Sequence, residues 1–245
     1  MEETVSKAER GRNKKQQTIK QNTVKDILKE VYGFITLLNA NNNRDWFNDN
    51  KGLYIDAKAK FDILVDYIGG EIEKFDSEYS YTNAKSCTYR IYRDVRFSKN
   101  KLPYKNHFGA FWNRGGRKSP YAGYYLHIQP GGESFFGGGV YRPQNNVLKS
   151  IRQEVYYSYN ELEKIIHSKD FKRIYPELMD DRLMRGPKDF PKDCDAIEYL
   201  KYKSLAVGHA LNDEIIVKKD ISAEIIDGFV TLLPLNQYIN KAIDM

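Results

Sequence analysis

The sequence holds only two cysteines, Cys87 and Cys194, in 245 residues. That is too few for a disulfide scaffold or a cysteine-based zinc site. Its four histidines, His107, His127, His167 and His209, are scattered, and neither a His-Glu-x-x-His nor a Cys-x-x-Cys spacing occurs. No metal is therefore expected. There is no Gly-x-Ser-x-Gly elbow, and Gly131-Gly132 and Gly137-Gly138-Gly139 match neither a Walker loop nor a dinucleotide fingerprint. Serine-hydrolase chemistry and standard ATP or NAD binding find no support, and no cofactor is expected. No apolar run approaches the roughly 18 residues of a membrane span. The opening residues, Met1 to Lys7, lack the apolar core of a secretory signal. The expectation is a cytoplasmic protein without a membrane partner.

What is present points to a folded chain. Hydrophobic residues make up 41% and charged residues 29%, a globular rather than a disordered balance. Residues 1–22 are the exception. They are polar, carry both signs of charge, and bury too little apolar surface to offset ordering, so a disordered tail is expected there and a single domain over 23–245.

Thr23 with Asp26 three residues on reads as a helix start, followed by Val24, Ile27, Leu28, Val31, Phe34, Ile35 and Leu38 at helical spacing. An asparagine of Asn41-Asn42-Asn43 caps a second helix, with Asp45 in its first turn and Trp46 and Phe47 anchoring the corner. The alternative for this corner is an anion seat made of the helix's first amides. Tyr54, Ala57, Phe61, Leu64, Val65, Ile68, Ile72 and Phe75 predict a long amphipathic helix, with a kink or a close contact with another backbone at Gly69-Gly70.

From Thr88 to Tyr141 the texture changes to Tyr, Phe, Val and Gly with recurrent turn signals. Four strands are predicted, near 87–97, 107–114, 121–129 and 134–141, with connections short enough for an antiparallel meander. A helical pattern follows to about 167, then a mixed stretch and a strand near 203–211. Asn212 caps a short helix, and a last helix is ended or bent by Pro234. The fold class is α+β, a central antiparallel sheet packed by N- and C-terminal helices.

Charge is concentrated in one segment. Between Lys85 and Lys118 lie ten cationic residues and one acid, Asp94, in a chain whose total is +6, so the remainder is net acidic. Such a concentration concerns partners rather than fold. Alternation places Arg90, Tyr92, Asp94 and Arg96 on one face of the first strand and Ile91, Arg93, Val95 and Phe97 on a core-like face. Arg93 there must be paired or turned out by a bulge. In the next strands Phe108, Ala110 and Trp112, then Ala122, Tyr124, Leu126 and Ile128, look like core. His107 lies opposite in the first of these, and Tyr125, His127 and Gln129 in the second.

One sheet face then carries Arg90, Arg96, His107, Tyr125 and His127 beneath open space left by glycines, with Lys101, Tyr104 and Lys105 on a closing loop. Guanidinium forks suit phosphate or carboxylate oxygens, and histidines add donors or proton carriers.

The run Arg90 to Lys99, then Pro103-Tyr104-Lys105, His107 to Ala110 and Gly115 to Lys118, resembles the signature of an uncharacterised bacterial and fungal family, domain of unknown function 2461. Asn41-Asn42 with Trp46-Phe47, Tyr124 to His127, Gly137 to Gly139, Lys203-Ser204 and Pro234-Leu235-Asn236 resemble other parts of that family, across about residues 30–243. The resemblance implies one domain and brings no reaction, substrate or cofactor.

Three functions compete. The first is a site for a phosphate- or carboxylate-bearing small molecule, enzymatic or not. In it Arg90, Arg93 and Arg96 hold the anion, His107 is the candidate proton carrier, and Lys101, Tyr104 and Lys105 form a lid. The second is a nucleic-acid surface on which Tyr89, Tyr92, Tyr104, Tyr121 and Tyr125 stack bases. The third is a structural or interaction role, with the arginines paired to acids inside the fold or the basic strand docked on an acidic partner.

Overall fold

The computed structural model describes residues 23–245, so the expectation of a disordered tail over 1–22 lies outside the described residues. Among the described residues there are nine helices: α1 (Val24–Ala40), α2 (Arg44–Asp49), α3 (Lys51–Phe75), α4 (Ala84–Cys87), α5 (Asn145–Ile166), α6 (Lys169–Ile174), α7 (Ile197–Leu200), α8 (Asp213–Lys218) and α9 (Ser222–Asp244). Four strands, β1 (Phe108–Asn113), β2 (Gly123–Ile128), β3 (Ser134–Val140) and β4 (Leu205–Leu211), form one antiparallel sheet in the order β1-β2-β3-β4. The fold is α+β, as expected. No described helix is long and apolar enough to cross a membrane.

The chain divides into two compact units, each drawing on parts of the strands. The first comprises the described residues up to Ala110, Leu126–Phe135 and Ala210–Ile226. Its helices start where capping chemistry dictates. Thr23 accepts from the Asp26 amide at 3.2 Å, Asn43 from the Trp46 amide at 2.9 Å and Asn212 from the Glu214 amide at 2.7 Å. The apolar stripe of α1 (Ile27, Leu28, Val31, Ile35, Leu38) and that of α3 (Phe61, Leu64, Val65, Ile68, Ile72) are buried, and the two helices pack together. Phe108 at the start of β1 stacks on Phe61 with 5.1 Å between ring centroids. α3 runs through Gly69-Gly70 without a break. The close contact there is with a side chain rather than the expected backbone: a Cβ on Gly69 would overlap the Tyr81 ring.

The predicted strand at 87–97 is not a strand. Ala84–Cys87 is a helical turn, and the chain beyond it meets 103–110 only through isolated antiparallel bridges, Thr88 to Ala110 and Tyr92 to Tyr104. The backbone bonds that hold it are Tyr89 N–H to Gly109 O (3.1 Å), Lys105 N–H to Ile91 O (2.8 Å) and Arg93 N–H to Pro103 O (2.9 Å). The alternation of burial runs through Arg96 and fails at Phe97. Phe97, assigned to the core face, is 96% exposed, because Asp94 turns the chain by accepting from the Arg96 amide and guanidinium. At the β2–β3 turn, Gly131 and Gly132 take positive φ of 92° and 76° and donate to Asp213 Oδ2 at 2.9 and 3.0 Å.

The second unit comprises Phe111–Tyr125, Phe136–His209 and Asp227–Met245. Trp112, Tyr124 and Phe136 gather around Phe229 of α9, with centroid separations of 5.9, 5.2 and 6.1 Å. The predicted core positions of both strands, Phe108, Ala110, Trp112, Ala122, Tyr124, Leu126 and Ile128, are all buried. Pro234 does not end α9, which continues to Asp244. Leu232, Leu235, Tyr238, Ile239 and Ala242 are buried along one stripe across it, and that burial outweighs the hydrogen bond a proline removes.

The triple glycine of β3 is also corrected. It does not open space for a ligand. A Cβ on Gly137 would strike the Val207 carbonyl, one on Gly138 the Gly123 carbonyl, and one on Gly139 the Leu205 carbonyl. These residues are glycine because neighbouring backbone fills the position a side chain would need.

Candidate functional site

The basic ribbon of the first unit borders a hollow of about 500 Å³ lined by Arg90, Tyr92, Arg93, Asp94, Lys105, Asn106, His107 and Gln129. Small-molecule pockets span roughly 300–1,000 Å³. Three cationic side chains face one carboxylate. That carboxylate is already engaged, since Asp94 receives Arg96 Nε at 3.0 Å and Nη2 at 2.7 Å. The Arg96 guanidinium holds the Asp94 carboxyl below its usual range. Arg90 and Arg93, by contrast, form no side-chain hydrogen bond or ion pair with any described residue. Arg93 is half-buried at the wall of the hollow.

The ribbon is placed by the helical corner. Asn42, between α1 and α2, donates through Nδ2 to the Tyr104 carbonyl at 3.0 Å and accepts the Tyr104 amide on Oδ1 at 3.2 Å. Phe47 of α2 stacks on Tyr104 at 3.9 Å between centroids, and Tyr92 meets both rings, at 5.9 and 5.5 Å. The corner is therefore an aromatic anchor. Asn43 Oδ1 takes the Trp46 amide of that helix start.

His107 and His127 meet across neighbouring strands with 4.2 Å between centroids. Burial, helped by the positive neighbours His127, Lys105 and Arg93, pushes the His107 imidazole down to about 3. It is neutral at physiological pH. Its Nδ1 is buried without a hydrogen-bond partner among the described residues. Burial also lowers His127, against the opposing effect of its 3.0 Å hydrogen bond to Gln129 Oε1.

Of the residues picked out in the sequence, the hollow gathers Arg90, Arg93, Lys105 and His107, with His127 directly behind His107. The others lie elsewhere. Arg96 is turned outward onto Asp94. Lys101 donates to the Val95 carbonyl at 3.0 Å. Tyr104 is 4% exposed within the aromatic anchor, so it is not a lid. Tyr125 sits on β2 outside the lining. Tyr92, Asp94, Asn106 and Gln129 belong to the lining but not to the predicted set. Gln129 was legible, since it shares its strand face with His127. Asn106 carries no charge or period to mark it.

The chain matches the family described as Conserved hypothetical protein (DUF2461) over residues 30–238. No curated protein and no solved structure matches it. The chain belongs to that family.

Proposed function

For this member of the DUF2461 family, we propose binding of a small phosphate- or carboxylate-bearing molecule in the hollow of the first unit. The observation that carries the reading is that Arg90 and Arg93 line a cavity while their side chains form no hydrogen bond or ion pair with a described residue. Guanidinium forks held at a concave wall match oxyanion geometry, and a bound anion would supply the acceptors they lack. His107 fits the same role. An orphaned acceptor costs less than an orphaned N–H, so the buried Nδ1 takes the unprotonated position and the proton resides on Nε2. A neutral imidazole with Nε2–H adds a donor beside the cations without adding charge.

The test is calorimetric titration with inorganic phosphate and with citrate, on the wild type and on Arg93→Ala. Binding by the wild type that weakens at least tenfold in Arg93→Ala is expected, since charge-assisted bonds are worth roughly 1.5–3 kcal/mol. Absence of binding for both anions, or equal affinity in the variant, removes the proposal. Nucleic-acid binding is the second outcome of the same assay, because a single-stranded oligonucleotide binding more tightly than either small anion, with a steep salt dependence, would favour an extended surface instead.

A further inference from the structure

The hollow is larger than an inorganic anion needs, and its remaining wall is not cationic. That wall is made by Tyr92, Asn106 and Gln129. Tyr92 is 46% exposed. Its aromatic neighbours among the described residues meet it at 65° and 55°, so no ring is stacked parallel on it. The Asn106 side-chain amide makes no hydrogen bond to a described residue. Gln129 accepts on Oε1 from His127 Nε2, and that bond fixes the amide so that its NH₂ group has donors to spare.

We propose that the anion held here is the phosphate of a nucleotide-class ligand, a phosphate ester carrying a planar heterocycle. This rests on the anion reading above and goes one step further. Arg90, Arg93 and Lys105 take the phosphate. The heterocycle lies on the exposed face of Tyr92, and the amides of Asn106 and Gln129 reach its edge. The Arg90 and Arg93 forks, the Asn106 amide and the exposed Tyr92 face are capacities the protein leaves unspent. An aromatic face accepts any base, and an amide supplies the paired donor and acceptor that heterocycle edges present.

The test compares five ligands on the full chain: inorganic phosphate, ribose 5-phosphate, adenosine, AMP and UMP. At least one mononucleotide is expected to bind about tenfold or more tighter than both phosphate and ribose 5-phosphate, the factor that one base-on-aromatic stack supplies. Tyr92→Leu should erase that gain while leaving phosphate affinity in place, and Tyr92→Phe should keep it. Equal affinity of the mononucleotides and ribose 5-phosphate overturns the inference on the wild type alone, whatever the variants do, and leaves the anion site standing. A gain that survives Tyr92→Leu also overturns it. If phosphate itself fails to bind, or binds Arg93→Ala equally well, the anion reading fails and the inference goes with it.

Discussion

Acid should weaken this protein through one imidazole more than through any other. His107 has its folded-state value pushed down to about 3 from 6.5, so the unfolded chain binds the proton first as pH falls. The contribution of neutral His107 is complete above about pH 6.5. It is lost progressively through the window from 6.5 down to about 3. At pH 5 the full difference would be worth about 2 kcal/mol, and solvent reaching the half-buried ring from the hollow reduces this to about 1 kcal/mol. The perturbation is His107→Gln, which keeps a polar group but cannot titrate. Urea denaturation at pH 7.5 and pH 5 would show the wild type losing about 1 kcal/mol more than the variant between the two conditions. His127, lowered by the same burial, leaves the variant with a residual slope. Saturating phosphate should flatten the wild-type loss, because an anion beside the ring stabilises the imidazolium. Parallel pH dependence in the two proteins would refute the burial argument.

Two further outcomes follow from the packing. Asn42→Ala removes both side-chain bonds to the Tyr104 backbone and should lower stability by about 1–3 kcal/mol, read by urea denaturation; Asn42→Asp, which keeps the acceptor and loses the donor, should fall between. Gly138→Ala sets a Cβ against the Gly123 carbonyl at a φ of +159°, and a loss of about 3 kcal/mol or more is expected in thermal unfolding.

The parts of this fold that were legible from sequence obey short-range rules. Thr23, Asn43 and Asn212 cap helices because a side-chain oxygen two or three residues upstream of an open amide is a local arrangement. The core faces of β1 and β2 follow from a two-residue period that regular pairing enforces. The basic segment was misjudged for the complementary reason. Its pairing consists of isolated bridges, so the period has no ladder to maintain it, and Phe97 departs from the assigned face. Pro234 was judged on backbone chemistry, while the buried stripe on either side of it decided the outcome. The cationic members of the hollow announced themselves by charge. Tyr92 and Gln129 share a strand face with Arg90 and with His127, whereas Asn106 is placed there by tertiary folding, and no local pattern distinguishes it from other polar surface residues.

The Asn42 amide clasps a peptide 62 positions away in the chain, and Lys105 is the next residue after that peptide. Any shear of the helical corner must therefore drag one cation relative to the other two. On the proposed anion reading, the spacing of these cations follows how Phe47 of α2 seats on Tyr104, not a strand ladder. On that same reading, conservative swaps at this aromatic stack offer a route to retune the proposed anion preference while leaving every charged group untouched.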